Sequence, residues 1–485
     1  MPGITRRQVL RGGLTLVPTA GLLPALLFAC SDDDDAGNGA GDGTGAETGT
    51  LQILVGFGTG NAPNQIPAQE ELAAAFEAAN GRPIAFRRIP DVSGEEAQRQ
   101  LGVSIAAGNP ADIILPTGVF GISLYLDQNV WLDLAPYLRD ADIDLGLFAE
   151  PAIAAARAPN YYGPDSDVLV GIPAGLFTHT IAYNKELFAA AGVDAPPHEW
   201  DAAGWDYNRL LEVTKALTLD SKGRDAADAR FDPDNIVQFG LGHWDTGLMA
   251  LGYGAEKYDA ASRTLLLDSE ANIEGTQFGA DLVNVHHVLA NDQLAATVAA
   301  GAGDEPQLAA WKSGKLAIID MCGCDLQSYG VDNDFEWDVA PWPKGPAKLV
   351  STLNLDVGAI VAASERRDAA FEALEFLLVE PANARKLSTK GYGAMSPLRS
   401  EEGAFLEELE GDFPGVDLQL FLDAFPFSVN QEGWFPAFTQ VNDAGGEFLD
   451  PVALGDATAA DKLPEYQRAA QAFVDRWFEE NELPS

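Results

Sequence analysis

The chain has 485 residues, of which 47% are hydrophobic, and its 73 acidic against 30 basic residues give a formal net charge of −43. This composition excludes a disordered chain, and the length predicts more than one compact unit. Beyond residue 29 no basic run is longer than Arg87-Arg88 or Arg366-Arg367, which excludes a nucleic-acid-binding protein because phosphate recognition needs basic patches.

Residues 1–29 predict a signal peptide. A basic segment around Arg6 and Arg7 precedes an apolar stretch that prolines interrupt and that barely reaches membrane-spanning length. The adjacent arginines resemble a twin-arginine export signal. The sequence Leu-Phe-Ala-Cys, residues 27–30, resembles the motif at which bacterial lipoproteins are cleaved and lipidated. Cys30 is therefore the predicted lipid attachment site, and a plain secretory signal with an incidental cysteine is the alternative.

Residues 30–49 predict a lipidated cysteine followed by a flexible acidic tether. Residues 31–49 read SDDDDAGNGAGDGTGAETG and contain no large apolar side chain. Such a segment cannot bury enough surface to offset the entropy lost on ordering it. The protein is therefore predicted to be extracytoplasmic, with its folded body held at the cell membrane through Cys30.

From residue 50 onward, short apolar runs alternate with segments of helical periodicity. This alternation predicts an α/β fold built mainly on parallel sheets. Strands are predicted at 51–58, 83–89, 111–116, 167–172, 179–184, 236–242, 316–321, 337–342 and 355–362, and helices at 67–80, 94–107, 185–191, 206–218, 270–290, 305–314, 366–380 and 464–480.

The segment that follows residue 179 shows the local signals clearly. Asn184 is a good helix N-cap, Gly192 suits the left-handed position after a helix, and Pro196-Pro197 forbids continuation. By contrast, the glycines at residues 56–60 lack the spacing of a dinucleotide site. They predict a tight turn that exposes backbone amides to a ligand.

Cys322 and Cys324 follow a buried-strand pattern at residues 316–319. A zinc site would need four ligands, and Cys30 is the one other cysteine in the sequence. A Cys-x-Cys disulfide is compatible with an oxidising compartment, although it would be cramped, and two reduced, buried thiols are equally compatible. The sequence leaves both states open.

The acidity of the chain also has two interpretations. One is adaptation to high salt, where repulsion among acidic groups is screened, and the other is an ordinary acidic extracellular protein. Net charge affects solubility rather than fold, so the fold prediction is the same in either case.

Four segments carry a family resemblance. They read SIAAGNPADIILPTG (104–118), VGIPAGLFTHTIAYNKELFAAAGVDAPPHEWDAAGWDYNRLLEVTKAL (170–217), AAWKSGKLAIIDMCG (309–323) and WDVAPWPKGPAK (337–348). In this order they resemble the extracellular solute-binding proteins of ABC importers, specifically the sugar-binding family that includes maltose-binding protein. Ala111 is an extra residue in the family's Ala-Gly-x-x-Pro-Asp motif. The resemblance covers most of residues 50–400 and is loose over 401–485.

The resemblance implies an α/β, periplasmic-binding-protein-like fold of two lobes that close on a ligand about a hinge of chain crossings. The crossings are expected near Ile172–Thr178, Ala340–Lys344 and Tyr392–Leu398. Lobe one is then predicted to comprise residues 50–173 with 345–393, and lobe two residues 178–340 with 398–485.

The resemblance also implies a function. A protein of this kind captures a small-molecule solute outside the cell, here a carbohydrate and in particular an oligosaccharide, and delivers it to ABC permease subunits in the membrane. It is expected to be a monomer, not an enzyme, and to need neither cofactor nor metal.

Candidate ligand-binding residues follow from the fold. Ligand sites in open α/β sheets lie beyond the carboxyl ends of the strands, and sugars are bound by aromatic rings together with planar polar groups. The candidates are Trp244, Trp342 and Trp434 among the aromatic residues, and Asn61, Thr117, His179, Asp245, Asp325 and Asn354 among the polar ones. Core packing explains each tryptophan equally well, and a turn or capping role explains each polar residue.

Two alternative functions stay open at this point. A lipid-anchored extracellular glycoside hydrolase needs two opposed carboxylates, but among 73 acidic residues a pair at any spacing carries no information. Neither a Gly-x-Ser-x-Gly nor a His-Glu-x-x-His motif occurs in the sequence. The second alternative is a binding protein for a peptide, a polyamine or a phosphorylated solute; the candidate loops carry no basic groups that would favour a phosphate.

Overall fold

A computed structural model describes residues 49–481, except 58, 90–94, 119–120, 300–304, 410 and 431–432. The predicted signal peptide, Cys30 and residues 31–48 of the predicted tether lie outside the described residues. Within the described part of the chain, no helix combines the length and the apolar character that crossing a membrane requires.

Thirteen strands are found in the described residues, and eleven of them form one continuous sheet. In chain order, β1 to β13 are Leu51–Val55, Ile84–Arg88, Ile113–Thr117, Ile172–Asn184, Leu219–Asp220, Ile236–Gly242, Tyr258–Asp259, Thr264–Leu265, Leu289–Ala290, Leu316–Cys322, Trp337–Ala340, Ser351–Ile360 and Ser428–Asn430.

Helices connect the strands and flank the sheet. In chain order, α1 to α19 are Ile66–Asn80, Glu95–Ala106, Ile122–Leu126, Ala135–Asp140, Glu150–Ala156, Pro159–Tyr162, Lys185–Ala191, Tyr207–Leu217, Met249–Gly252, Glu270–Asn284, Asp292–Val298, Pro306–Lys312, Leu326–Tyr329, Arg367–Leu378, Pro381–Lys386, Ala404–Leu409, Gln419–Asp423, Phe438–Ala453 and Ala459–Glu480. The predicted α/β class is confirmed.

The sheet consists of two half-sheets that share β4. The first half-sheet contains β1, β2, β3, β12 and β13, and the second contains β5, β6, β9, β10 and β11. The pairs β1–β2, β1–β3, β12–β13, β6–β10 and β6–β9 are parallel. The pairs β3–β12 and β5–β6 are antiparallel, and β12, β10 and β11 all run antiparallel to β4. The prediction of mainly parallel sheets is therefore wrong, because the strands next to the crossing strand reverse direction.

The crossing strand β4 is longer than the sequence predicted. Instead of separate strands at 167–172 and 179–184, one strand runs through all 13 residues of Ile172–Asn184, and every residue in it is buried. Pro173 does not interrupt the strand because it lies opposite Val357, where the register with β12 shifts at an irregularity.

The local signals around Asn184 are confirmed. Its Oδ1 accepts hydrogen bonds from the backbone N–H groups of Glu186 and Leu187, at 3.0 and 3.1 Å, and Gly192 has a φ of 65°. By contrast, the helix predicted at 270–290 ends at Asn284. His287 has a φ of 61°, which a helix does not accommodate, and β9 begins two residues later.

The C-terminal segment packs against the β7–β8 hairpin and pairs with the first half-sheet. Helices α18 and α19 share a hydrophobic core with the β7–β8 hairpin, and Trp477 of α19 lies 5.4 Å from Tyr161, measured between ring centroids. The strand β13, Ser428–Asn430, pairs with β12 of the first half-sheet. Part of residues 398–485 therefore pairs with the first half-sheet, and the division of the chain into two lobes stays a prediction.

Candidate ligand-binding site

The crossing strand changes partners at His179. Thr178 pairs with Leu353 of β12, whereas His179 pairs with Cys322 of β10. Side chains alternate along a strand, so His179 projects on the same side as Asn354 from β12 and Asp320 from β10. His179 therefore occupies the line along which the two half-sheets meet.

A hydrogen-bonded network is centred on His179. Its Nδ1 lies 2.9 Å from Oδ2 of Asp320, and the other carboxylate oxygen of Asp320 accepts a hydrogen bond of 2.9 Å from Nε1 of Trp342. Nδ2 of Asn354 lies 3.3 Å from Nε2 of His179. Burial by itself lowers the pKa of His179, but the charge and the hydrogen bond of Asp320 outweigh burial and raise this pKa above its ordinary value. The network fixes the orientation of the imidazole ring.

Two tryptophans form an aromatic wall beside this network. Trp244 packs against Trp342, with 5.0 Å between ring centroids. The strand β6 ends at Gly242, and His243 has a φ of 45°, so the chain turns sharply just before Trp244. Trp244 is 7% exposed, and its Nε1 has no hydrogen-bond partner within the described residues. A bound molecule that supplied an acceptor would satisfy this buried N–H.

A pocket of ≈ 550 Å³ opens beside the aromatic wall. Its volume is within the range of small-molecule sites, roughly 300–1,000 Å³. The side chains that surround it come from the segments after β6 and β9, from β10 and β4, and from neighbouring helices. The lining residues are His179, His243, Trp244, Asp245, Leu248, Val283, Leu289, Ala290, Asn291, Asp292, Gln293, Gln307, Asp320 and Ala453.

Asp325 does not line this pocket but contacts His243, which does. Its Oδ2 lies 3.6 Å from Nε2 of His243, and Nδ1 of the same ring lies 3.2 Å from the hydroxyl of Tyr329. Burial lowers the pKa of His243, but its hydrogen bond with Asp325 and the charge of that carboxylate raise the pKa overall. Asp325 also accepts a hydrogen bond of 3.1 Å from the backbone N–H of Cys322. Asp325 therefore positions His243, which lines the pocket.

The two cysteines left open by the sequence form a disulfide. Cys322 and Cys324 are bonded to each other, and the backbone N–H of Cys324 lies 3.2 Å from the sulfur of Cys322. The disulfide closes the turn that carries Asp325. It therefore links the end of β10 to the carboxylate that orients His243.

The predicted residues fall into three groups. His179, Trp244 and Asp245 line the pocket, while Trp342, Asp325 and Asn354 contact residues that do. Asn61, Thr117 and Trp434 do not line it. Five of the nine side chains, Asn61, Thr117, Trp244, Asn354 and Trp434, each have a buried polar atom without a hydrogen-bond partner within the described residues.

The sequence analysis missed part of the pocket. Asn291, Asp292 and Gln293 follow β9, which the sequence pattern had assigned to the end of a long helix. The sequence analysis placed Asp320 inside a predicted strand and assigned no function to its side chain. An aspartate in the otherwise apolar run 316–321 was the available signal, because a buried carboxylate in a strand needs a partner.

The chain matches a family model described as bacterial extracellular solute-binding protein over residues 62–384. Among curated proteins, a binding protein of Brucella abortus is 21% identical over 417 residues, which are 84% of this chain and 90% of that protein. A binding protein of Brucella suis matches with the same identity and coverage.

Solved structures show the same fold. An ABC substrate-binding protein of Listeria monocytogenes in complex with cycloalternan superposes with a TM-score of 0.66 at 17% identity, covering 88% of this chain and 98% of that one. UspC of M. tuberculosis gives a TM-score of 0.64 at 22% identity, with 87% and 100% covered. The maltotriose-binding protein of Thermus thermophilus, bound with maltotriose, gives 0.59 at 18% identity, with 87% and 99% covered.

The fold matches these two-lobe binding proteins over most of its length, and the family match covers the crossing strand and most strands of both half-sheets. The chain belongs to the family of bacterial extracellular solute-binding proteins.

Proposed function

We propose that this protein is the extracytoplasmic solute-binding component of an ABC importer, and that it captures an oligosaccharide between two lobes and delivers it to a membrane permease. The observation that carries the proposal is the aromatic wall of Trp244 and Trp342 beside a pocket of ≈ 550 Å³. The wall lies against the His179–Asp320 pair, so an apolar surface and oriented polar groups meet in one place.

This combination suits a sugar. The C–H face of a pyranose ring packs on an aromatic ring, while its hydroxyls both donate and accept hydrogen bonds. Asp245, Asp292 and Asn291 at the rim offer acceptors for hydroxyls, and Nε1 of Trp244 offers a buried donor. The ligands named for the structural neighbours, cycloalternan and maltotriose, are consistent with this class.

Closure of the two lobes would retain the solute. A ligand stabilises a closed state by its differential affinity for that state, so it must contact both half-sheets. The hydrogen-bonded contact between Asn354 of β12 and His179 of β4 brings polar groups of the first half-sheet to the edge of the site. We expect the crossings to act as the hinge.

The proposal includes a lipid anchor at Cys30, export by a twin-arginine signal and an acidic tether of about twenty residues. A monomeric body on such a tether would meet both the solute outside the cell and the permease in the membrane. We further propose that the protein works without catalysis, cofactor or metal.

The experiment that tests the proposal is isothermal titration calorimetry of the purified protein against neutral oligosaccharides, including maltotriose and mannotriose. Dissociation constants in the micromolar range or below, with no hydrolysis product detected by mass spectrometry, are the expected result. Released monosaccharide would indicate a glycoside hydrolase instead. Binding of a polyamine or a peptide, with no response to any sugar, would indicate the other alternative.

A further inference from the structure

Asp356 lies at the edge of the first half-sheet that faces the site. It belongs to β12, and its side chain lies on the same side of the strand as that of Asn354, which precedes it by two residues. Val357 pairs with Thr117, the last residue of β3, so Asp356 is level with the carboxyl end of that strand. A Cβ atom on Gly118 would lie 2.6 Å from Oδ1 of Asp356, so the chain leaving β3 passes directly over the carboxylate.

The carboxylate of Asp356 is buried without a partner. The residue is 9% exposed, and burial alone shifts the pKa of its carboxyl group, with no hydrogen bond and no charged side chain of the described residues acting on it. Buried carboxylates elsewhere in the chain are different. Asp112, which is 2% exposed, forms an ion pair of 2.7 Å with Arg366 and accepts hydrogen bonds from Ser364 and from the backbone N–H of Gln52.

An unpaired buried carboxylate destabilises a fold, so its presence calls for a role other than folding. Burial raises the pKa of Asp356 to about 7. The neighbouring titratable group is Tyr392. Burial and the charge of Asp356 raise the pKa of Tyr392 well above its ordinary value, against an opposing effect of the Arg88 charge. No lysine or arginine of the described residues offsets the charge of Asp356 itself.

Other acceptors without partners are found in the first half-sheet and in the segment that follows β1. Oγ1 of Thr117, Oδ1 of Asn61 and Oδ1 of Asn354 are buried and have no hydrogen bond within the described residues. Thr117 pairs with Val357, the residue after Asp356, and Asn354 lies two residues before Asp356 in β12. This side of the cleft therefore offers oxygen atoms that a ligand could reach with hydrogen-bond donors.

We propose that Asp356 is a solute-binding residue of the first half-sheet, and that its carboxylate accepts hydrogen bonds from donor groups of the bound sugar, either hydroxyls or a protonated amine. This inference rests on the proposed function and adds the second face of the site. The ligand would then be held by the aromatic wall on one half-sheet and by Asp356 on the other, which is the two-sided contact that closure requires.

The test compares Asp356→Asn with the wild-type protein by calorimetry at about pH 7.5, where the buried carboxyl is mostly ionised. The probes are maltotriose, which carries hydroxyls alone, and the glucosamine trimer, which also carries amines. Asp356→Asn should weaken the binding of the preferred probe by about tenfold or more, because a hydrogen bond to a charged acceptor is lost. A loss confined to the glucosamine trimer would identify an ammonium group as the donor, and an equal loss for both would identify hydroxyls.

Melting temperature without sugar is the second readout. Because the unpaired charge is removed, ligand-free Asp356→Asn should melt at a higher temperature than the wild-type protein. Asp112→Asn is the matched control: it breaks a buried ion pair, so it should lower the melting temperature and leave sugar affinity within about twofold of the wild type.

The outcomes are distinguishable. Unchanged affinity in Asp356→Asn, or a melting temperature lowered as in Asp112→Asn, would overturn the assignment while leaving the proposed function intact. If neither sugar binds the wild-type protein, the sugar proposal fails for these probes. The melting temperatures then still test whether the carboxylate of Asp356 is directed at a ligand. A rise then supports a ligand-directed carboxylate, and no rise overturns it.

Discussion

Asp320 and Trp342 are joined by a hydrogen bond of 2.9 Å from Nε1 to Oδ1, and this bond explains the position of both side chains. Trp342 was a candidate ligand-binding residue, but it is 1% exposed and packs behind Trp244. Its indole N–H is satisfied, whereas that of Trp244 is not. The two rings therefore have different roles, and Trp244 is the one available to a ligand.

Trp244→Ala should weaken the binding of a cognate sugar by about thirtyfold, equivalent to roughly 2 kcal/mol, while far-UV circular dichroism stays near that of the wild type. Calorimetry measures the affinity. Trp131→Ala is the matched control, because Trp131 is also 7% exposed but donates its N–H to the carbonyl of Ile122 in the first lobe's core. The control should lose stability without a specific loss of affinity; equal affinity in Trp244→Ala and the wild type would place Trp244 outside the site.

The His179–Asp320 pair should make stability depend on pH. The folded pKa of His179 is raised, so the stabilisation is complete below the unfolded value of about 6.5 and is lost as the pH rises through the folded pKa. Urea unfolding of the wild type should show this decrease in the free energy of unfolding, and Asp320→Asn should abolish that component. Asp356 titrates in both proteins, so its contribution cancels when the two free energies of unfolding are subtracted. Parallel pH profiles of the two proteins would show that the pair is not coupled to folding.

Asp320→Asn should also lower stability at a fixed pH near 6. Trp342 and His179 would both lose a charged partner inside the protein, which should decrease the free energy of unfolding by about 1–3 kcal/mol. Chemical denaturation measures this difference. Asp245→Asn serves as the comparison, since Asp245 is exposed and its visible contact is a hydrogen bond from the backbone N–H of Gly247; its effect on stability should be small.

Reduction of the Cys322–Cys324 disulfide should have a modest effect on global stability. The covalent loop spans three residues, so in the loop-entropy account the bond contributes roughly 1–2 kcal/mol. The local effect should be larger, because the turn holds Asp325 against His243. The double substitution of Cys322 and Cys324 by serine should therefore reduce sugar affinity more than its effect on melting temperature would suggest. Unchanged affinity would show that the turn keeps its shape without the bond.

The melting temperature should rise with added chloride salt. Residues 50–485 carry a net charge of about −40, and screening weakens the repulsion among these groups. Differential scanning calorimetry from low to molar salt measures the change. A melting temperature that stays constant over this range would show that the acidic groups are placed without net repulsion.

Much of the local structure could be read from the chain directly. The strand Ile236–Gly242 and the helix Lys185–Ala191 have the predicted bounds, because apolar runs, an N-cap and a left-handed glycine act within a few residues of one another. The same local reading placed Trp244 immediately after a strand, which is where a ligand loop is expected. The prediction of a long helix ending at residue 290 was wrong, because His287 adopts a backbone conformation that periodicity does not reveal.

By itself, therefore, the sequence determined the alternating elements, the family resemblance and the candidate loops. The tertiary structure decided which candidates meet: it brought His179, Asp320 and Trp342 together from three distant segments, and it buried Asp356 beneath the end of β3 without a counter-ion. The physical reason is that side-chain alternation depends on each strand alone, whereas these contacts depend on the register between strands far apart in the chain. That register is set by how the whole sheet assembles around β4.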